Sequence, residues 1–366
     1  MPTGLTPELR ALLTLHLVPG IGPRLTTALL ARFGSAMAVL KAGVEDLQQV
    51  PHIGAKLARS LAEAFRNRDV DAEIELMDKH RVWFVARNQP EFPQSLINIP
   101  DAPHILYGRG EWVAADGNAV ALVGSRNCTS YGRRMAERLA TDLSRAGFTI
   151  ISGLARGIDG SAHRAALDAG GRTVAVLAGG LAKIYPPEHT ELACEVETRG
   201  ALLTEAPMRM EPMSTMFPAR NRLISGLSRA VVVVEAAERS GALITARHAA
   251  EQGRPVFAIP GPADSPASAG THHLLRQGVV LVRSAEDIIE EIEGVKSPAK
   301  LREPESPPEL DHTQKSVWQF LRDGPRHMDE IVQSLSLPIP QLAGILMTME
   351  MKKLVRRLPG NRFELR

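Results

Sequence analysis

At 366 residues the chain exceeds one ordinary hydrophobic core, and with aromatics at only 4% beside plentiful aliphatic side chains it suits a soluble globular protein of two or three domains. The formal charge of +2 is nearly balanced, so a polyanionic partner has to be held by local clusters of arginine and lysine rather than by the field of the whole molecule. Two cysteines, Cys128 and Cys194, with no CxxC pair and no His/Cys cluster at ligand spacing, argue against a disulfide scaffold or a structural zinc site and fit a reducing cytoplasm.

The N-terminal "MPTGLTPELRALL" lacks a basic region followed by an apolar one, and no stretch approaches a membrane span in length. The expectation is therefore a soluble cytoplasmic protein that does not engage a membrane. Residues 1–80 read as a small helical domain with an internal duplication. "LVPGIGPRLTTALLARF" from Leu17 and "QVPHIGAKLARSLAEAF" from Gln49 share a V-P-x-I-G core followed by an apolar helix. The second copy has His52 where the first has Gly20, a change expected to weaken its turn. From Trp83 to Gly110 the pattern is less regular, and its prolines argue against a long helix. This segment is expected to pack against the domain that follows.

Residues 81–295 alternate apolar runs with helical patterns: "VALVG", "FTIISG", "RTVAVLAGG", "GALLTEAP", "RAVVVVEAA", "RPVFAIPG" and "GVVLV" are the strands. Continuous apolar strands separated by helices predict an α/β domain with a doubly wound, mostly parallel, Rossmann-like sheet covered on both faces. Residues 296–310, "KSPAKLREPESPPEL", are rich in proline and charge and read as a linker. Residues 311–366 give three short helices and a terminal hairpin, the pattern of a winged helix. The candidate recognition helix "IPQLAGILMTMEMKK" has few polar side chains with which to read base edges. Its cations Lys352, Lys353, Arg356 and Arg357 lie at its end and in the wing, which favours backbone contact or a protein partner over sequence readout.

In a doubly wound sheet the ligand crevice lies at the carboxyl ends of the strands. The residues predicted there are Gly124, Ser125 and Arg126 after the first strand, and Ser152, Gly153, Arg156 and Gly157 after the second. Ser240 and Gly241 open a later helix, and "FPARNR" supplies Phe217, Arg220, Asn221 and Arg222. Small residues at several helix N-termini form an anion cradle, to which forked guanidinium groups add paired contacts for phosphate oxygens. A purely structural role would need a facing carboxylate for each arginine. A dinucleotide site would require G-x-G-x-x-G and an acidic residue after the second strand, and neither is present. The groove suits successive phosphates, as in a single-stranded nucleic acid, with Phe217 either a stacking face or a core anchor. Asp159 and His163 are one turn apart; the aspartate offsets the helix dipole and the pair is not read as catalytic. Glu205 and Glu235, at strand ends, are the more serious candidates for nucleotide chemistry.

"VGSRNCTSYG", "ISGLARGIDGSAHRAAL", "YPPEH", "FPARNRLISGLS" and "SGALITARHAAEQGRPVFAIPG", with the lead-in "FPQSLINIPDAPHILYGRG", resemble the motifs of the DprA (Smf) family of DNA-processing proteins. The resemblance implies a Rossmann-like core flanked by a SAM-like helical domain and a winged helix. It also implies single-stranded DNA binding without sequence preference, homodimerisation, and loading of the RecA recombinase in natural transformation, with no catalytic residue and no cofactor or metal. In that family the G-S-R arginine holds the DNA backbone, which falls on Arg126, and the R-N-R segment falls on Arg220, Asn221 and Arg222. Two departures are visible: His189 stands where relatives often carry Asn, and no lysine follows Tyr-Pro, so that Lys183 is the expected substitute. The V-P-x-I-G turns resemble helix-hairpin-helix elements, whose amides grip phosphates or whose helices serve as scaffold.

The alternative is a nucleotide-cleaving enzyme of the related phosphoribohydrolase type, whose "PGGxGTxxE" loop has a counterpart in "ERSGALITARHAAEQG". Against it, Glu251 comes too late in that loop and "SGLARGID" replaces the glycine-rich nest. A transcription regulator acting through the winged helix is the third possibility.

Overall fold

In the computed structural model, which describes residues 5–67, 70–294, 310–322, 324–352 and 354–365, the chain opens with six helices. They are α1 (Pro7–His16), α2 (Pro23–Phe33), α3 (Ala36–Lys41), α4 (Val44–Gln48), α5 (Ala55–Asn67) and α6 (Asp71–Lys79). Thr6 starts α1 by accepting from Leu9 N at 3.3 Å, and Ser35 starts α3 by accepting from Ala38 N at 3.1 Å. The two V-P-x-I-G turns join α1 to α2 and α4 to α5. Both turns place their third residue in the left-handed region, Gly20 at φ 89° and His52 at φ 70°, so the expected weakening of the second turn takes the form of a strained backbone position rather than a different shape.

A β-carbon in that region costs about 1–2 kcal/mol, whereas glycine costs about 0.5–1 kcal/mol in unfolded-state freedom. His52→Gly is therefore expected to raise the unfolding free energy by about 0.5–1 kcal/mol in a urea titration. An unchanged or lower midpoint would show that the imidazole makes a compensating contact.

The helical core of Leu13, Leu15, Leu29, Val39, Leu47 and Leu61 continues without a break into Tyr107, Leu177, Leu202 and Met208. The helices are thus seated on the next layer by shared apolar burial. That layer contains β1 (Trp83–Ala86), β2 (Ile105–Gly110), β3 (Ala119–Gly124), α7 (Ser130–Arg145), β4 (Thr149–Ser152), α8 (Ile158–Asp168) and β5 (Thr173–Val176). It continues with α9 (Thr190–Arg199), β6 (Ala201–Thr204), α10 (Met216–Leu227), β7 (Ala230–Glu235), α11 (Ala242–Glu251), β8 (Val256–Ala258), α12 (Ala269–Arg276), β9 (Val280–Leu281) and α13 (Ala285–Glu293).

The sheet order is β1-β2-β6-β5-β4-β3-β7-β8-β9, parallel from β6 to β9. All seven strands read from the sequence are β3 to β9. The irregular segment supplies two more, β1 and β2, added antiparallel at one edge, while its prolines fall in the connection between them. From β3 the chain runs outward one way through β4, β5 and β6, and the other way through β7, β8 and β9. The order therefore reverses between β3 and β7, and their register slips between Val123 and Gly124. In open sheets of this kind the ligand crevice lies at such a switch point, beyond the carboxyl ends of the strands.

The chain divides into two compact units on either side of residues 295–296. The expected linker, 296–310, lies outside the described residues except for Leu310, as does Lys353. The second unit contains α14 (His312–Leu321), β10 (Arg326–His327), α15 (Met328–Leu335), α16 (Ile339–Met351), β11 (Val355–Leu358) and β12 (Arg362–Leu365). Asp311 and Gln314 cap α14 reciprocally, at 2.8 and 3.4 Å. Val317, Leu321, Ile331, Leu342, Leu346 and Phe363 close a separate core under the three-stranded β10-β12-β11 wing, so the winged helix is present. The outward side of α16 carries Ile339, Met347 and Met351, all exposed and uncharged. Among the described residues no single helix is long and apolar enough to cross a membrane.

Candidate functional site

Beyond the carboxyl ends of β3 and β7, bounded by the first turns of α10 and α11, lies an open crevice of about 580 Å³. It gathers Gly124, Ser125, Arg126, Phe217, Arg220, Asn221, Ser240 and Gly241 from three separate stretches of sequence. Gly153, Arg156 and Lys183 lie beside it, in two small recesses that also touch Phe217. Ser152, Gly157 and Arg222 line none of these spaces.

The basic residues divide by what faces them. Arg220 is 5% exposed and donates to the carbonyls of Gly153, at 2.8 Å, and Val176. Burial, with Arg126 nearby, brings its pKa down to about 10, against the pull of Asp159. Arg222 donates to Glu205 Oε2 at 2.5 Å, and burial raises the pKa of that carboxyl despite the pair. The expectation that both would present forks to a phosphate therefore meets a physical obstacle. Residues 220–227 of α10 are all buried, between the sheet, α11 and the turn at Gln94–Leu96, and the two guanidinium groups bond inward.

Arg156 pairs with Glu188, and Lys183 with Glu211 at 3.1 Å. Both pairs are exposed, hence weak and readily exchanged for another anion. Arg126 is exposed, has no ion-pair partner among the described residues, and lays its guanidinium over the Phe217 ring at 4.7 Å.

The loops are built from inside. Ser125 N donates to Glu235 O at 2.8 Å, and Asn127 N to Ser125 Oγ at 3.2 Å, so the serine shapes the turn that carries Arg126. Glu235 accepts from Thr129 N at 2.9 Å and Thr129 Oγ1 at 2.5 Å, while Thr129 Oγ1 accepts from Gly132 N at 3.1 Å. The start of α7, expected to cradle a phosphate, is thus occupied by the protein's own carboxylate. Ser152 Oγ donates to Leu122 O at 2.7 Å, a tie between strands. Gly157, at φ 73°, sits against the Ser125 and Arg126 carbonyls where a β-carbon would collide. Asp159 Oδ2 accepts from Gly153 N at 3.1 Å and Ala155 N at 3.4 Å; burial raises its pKa and Arg220 opposes that rise. Across the crevice, Asn221 Nδ2 donates to Gly241 O at 3.3 Å and Ala242 N to Ser240 Oγ at 3.3 Å.

His163 is fully buried and has no role at the crevice. Thr173 Oγ1 spends its proton on Ile150 O at 2.7 Å, so it must accept from His163 Nδ1, at 2.7 Å, which fixes a neutral tautomer. Burial lowers His163 to about 3, helped by His189 and Arg220. Burial likewise lowers His16 to about 4. Both folded pKa values lie below the ordinary 6.5, so the unfolded chain takes up protons first. Their contribution is complete above pH 6.5 and is lost as pH falls through the window toward 4 and 3. The expected loss is about 1.4 kcal/mol per pH unit for each histidine, read from urea midpoints at about pH 7 and about pH 5. His163→Asn should flatten that dependence; identical pH profiles for variant and wild type would disprove the assignment.

Three residues in or beside the crevice were not among the predicted site residues. Tyr185 is 41% exposed and stands 5.9 Å from the Phe217 ring, and its only signal was the Tyr-Pro pair. Arg239 is exposed on the crevice wall, and Asp159 lines it while organising the "SGLARG" loop. His189, the departure from the common Asn, donates Nδ1 to Leu154 O at 2.8 Å and so supports that loop at its left-handed Leu154, φ 56°. Among the described residues no group of three His, Cys, Asp or Glu could hold a metal ion.

Comparison with known proteins agrees with this layout. The model of DNA recombination-mediator protein A matches residues 83–293, that of the DprA winged helix domain 302–361, and that of the SAM-like helix-hairpin-helix tandem 10–67. Protein Smf of Escherichia coli is 37% identical over 83% of this chain and 83% of its own. The X-ray structure of DNA processing protein A from Streptococcus pneumoniae superposes with a TM-score of 0.68 at 33% identity, covering 79% of this chain and 98% of that one. DNA processing protein A from Helicobacter pylori, whose structure is described for its single-stranded DNA binding mode, superposes at 0.53 with 28% identity over 58% of this chain and 96% of that one.

Proposed function

The chain belongs to the DNA recombination-mediator protein A family, which includes DprA and Smf, and from that membership we propose that it binds single-stranded DNA along the crevice and delivers it to the RecA recombinase during DNA uptake. The observation that carries this reading is Arg126, an exposed guanidinium with no carboxylate partner among the described residues, held by stacking on Phe217 at the switch point of the sheet. Phosphates lie against Arg126 and the exchangeable cations Arg156, Lys183 and Arg239, while Phe217 and Tyr185 offer ring faces to bases. Glu205 and Glu235, the residues a nucleotide-cleaving enzyme would use, are spent on Arg222 and Thr129. The role is therefore binding and hand-over as a homodimer, without chemistry on the nucleotide.

A labelled oligothymidylate titrated in rising salt tests it. Affinity should fall linearly on logarithmic axes, by about 0.7 in slope for each phosphate neutralised, and the bound strand should be taken over by RecA in a strand-exchange assay. Salt-independent binding, or bound DNA that blocks RecA, would overturn the reading.

A further inference from the structure

A second recess, of about 520 Å³, lies between the first V-P-G-I-G turn and the ends of β5 and β6, and of the candidate binding or catalytic residues singled out in the sequence only Glu205 and Arg220 line it. We propose that it accepts a nucleobase bearing an exocyclic amino group, inserted from the strand that lies in the neighbouring crevice; this rests on the DNA-binding reading.

Three observations converge. The walls are largely apolar: Val18 and Pro19 from the turn face Leu177, Met210 and Met216 from the sheet side, which suits a flat ring. Two guanidinium groups line it, exposed Arg209 and Arg220, whose donors are engaged by Gly153 O and Val176 O, so its buried polar side chains with free capacity are acceptors. The carboxylates of Glu205 and Glu73 line it, the first held through Oε2 by Arg222 at 2.5 Å, the second accepting from Met208 N at 2.7 Å beside the Tyr107 hydroxyl. His16, lowered to about 4 by burial, adds a neutral ring. Finally, Arg220 and the first turns of α10 separate this recess from the crevice and line both.

Carboxylates accept only, so they complement the amino edges of cytosine, adenine and guanine and leave the carbonyls of thymine unmatched. The same charges repel phosphate. A backbone therefore stays on the Arg126 side and only a base turns in. Exposed Arg209 lines this recess but not the Arg126 crevice.

The test compares oligothymidylate with the same oligomer carrying one deoxycytidine, deoxyadenosine or deoxyguanosine, bound to the full chain. Each amino-bearing base should tighten binding by about tenfold, the worth of one hydrogen bond to a charged acceptor. Glu205→Gln should narrow that preference, and Ala219→Trp, which fills the recess from an exposed position on α10, should remove it even if the glutamine variant folds poorly. Equal affinity for all four oligomers, or a preference that survives Ala219→Trp, overturns the recess while leaving the Arg126 groove standing. Failure to bind any oligomer overturns the reading beneath it. Calorimetric titration with free deoxycytidine separates the sources: heat with the free nucleoside overturns insertion from a strand, and heat only with the oligomer supports it.

Discussion

Arg220→Met is expected to lower the free energy of unfolding by about 3–5 kcal/mol, seen as a fall in the urea midpoint at unchanged slope. The guanidinium is nearly out of solvent and donates to Gly153 O and Val176 O, tying the ends of β4 and β5 to α10. Methionine fills much of the volume but donates nothing. Two carbonyls then lose a partner, and Asp159, buried and already raised by desolvation, loses the cation that opposes that rise. Adding Asp159→Asn to Arg220→Met should recover part of the loss, because the uncompensated charge goes with it. A cost below about 1 kcal/mol would mean that Arg220 is a solvated groove cation after all. The variant should also bind DNA poorly, because the "SGLARG" loop hangs from the same network.

Arg126→Ala is the complementary case: stability within about 0.5 kcal/mol of wild type, but affinity for oligothymidylate lower by tenfold or more at moderate salt. The slope of log affinity against log salt should fall by about 0.7, one phosphate contact fewer. Arg126→Lys should keep the slope and still weaken binding, since an ammonium gives no flat fork to rest on Phe217. Unchanged affinity for Arg126→Ala would remove this residue from the site.

These two arginines show where the sequence is legible and where it is not. The apolar runs ending in Gly124, Ser152 and Glu235 announce parallel strands because only strands buried on both faces tolerate so little polarity. The loops that follow them are then placed by topology alone. In "FPARNRLISGLS", by contrast, nothing local says that a helix with two arginines is covered on every side; Arg222 finds Glu205 across 17 positions and Arg220 finds a carbonyl across 67. A facing carboxylate for each structural arginine holds for Arg222 but not for Arg220, whose partners are backbone carbonyls, and both sets of partners follow strands whose adjacency the sequence does not print. Short segments fared similarly. Four residues at Trp83–Ala86 and six at Ile105–Gly110 carry too little periodicity to show as strands, and they pair only because the edge of β6 is there to receive them. Tyr185 reaches the crevice through a ring contact with Phe217, a meeting of loops that no spacing rule encodes.

The carboxylate of Glu235 at the start of α7 has a consequence for competition inside a cell. A pyrophosphate that tried to settle on that helix would meet a fixed negative charge where a dinucleotide-binding protein offers bare amides. A free nucleotide therefore gains little from that helix start. A long polyanion touching several separated cations at once loses only that one seat, so the groove favours ligands by their length.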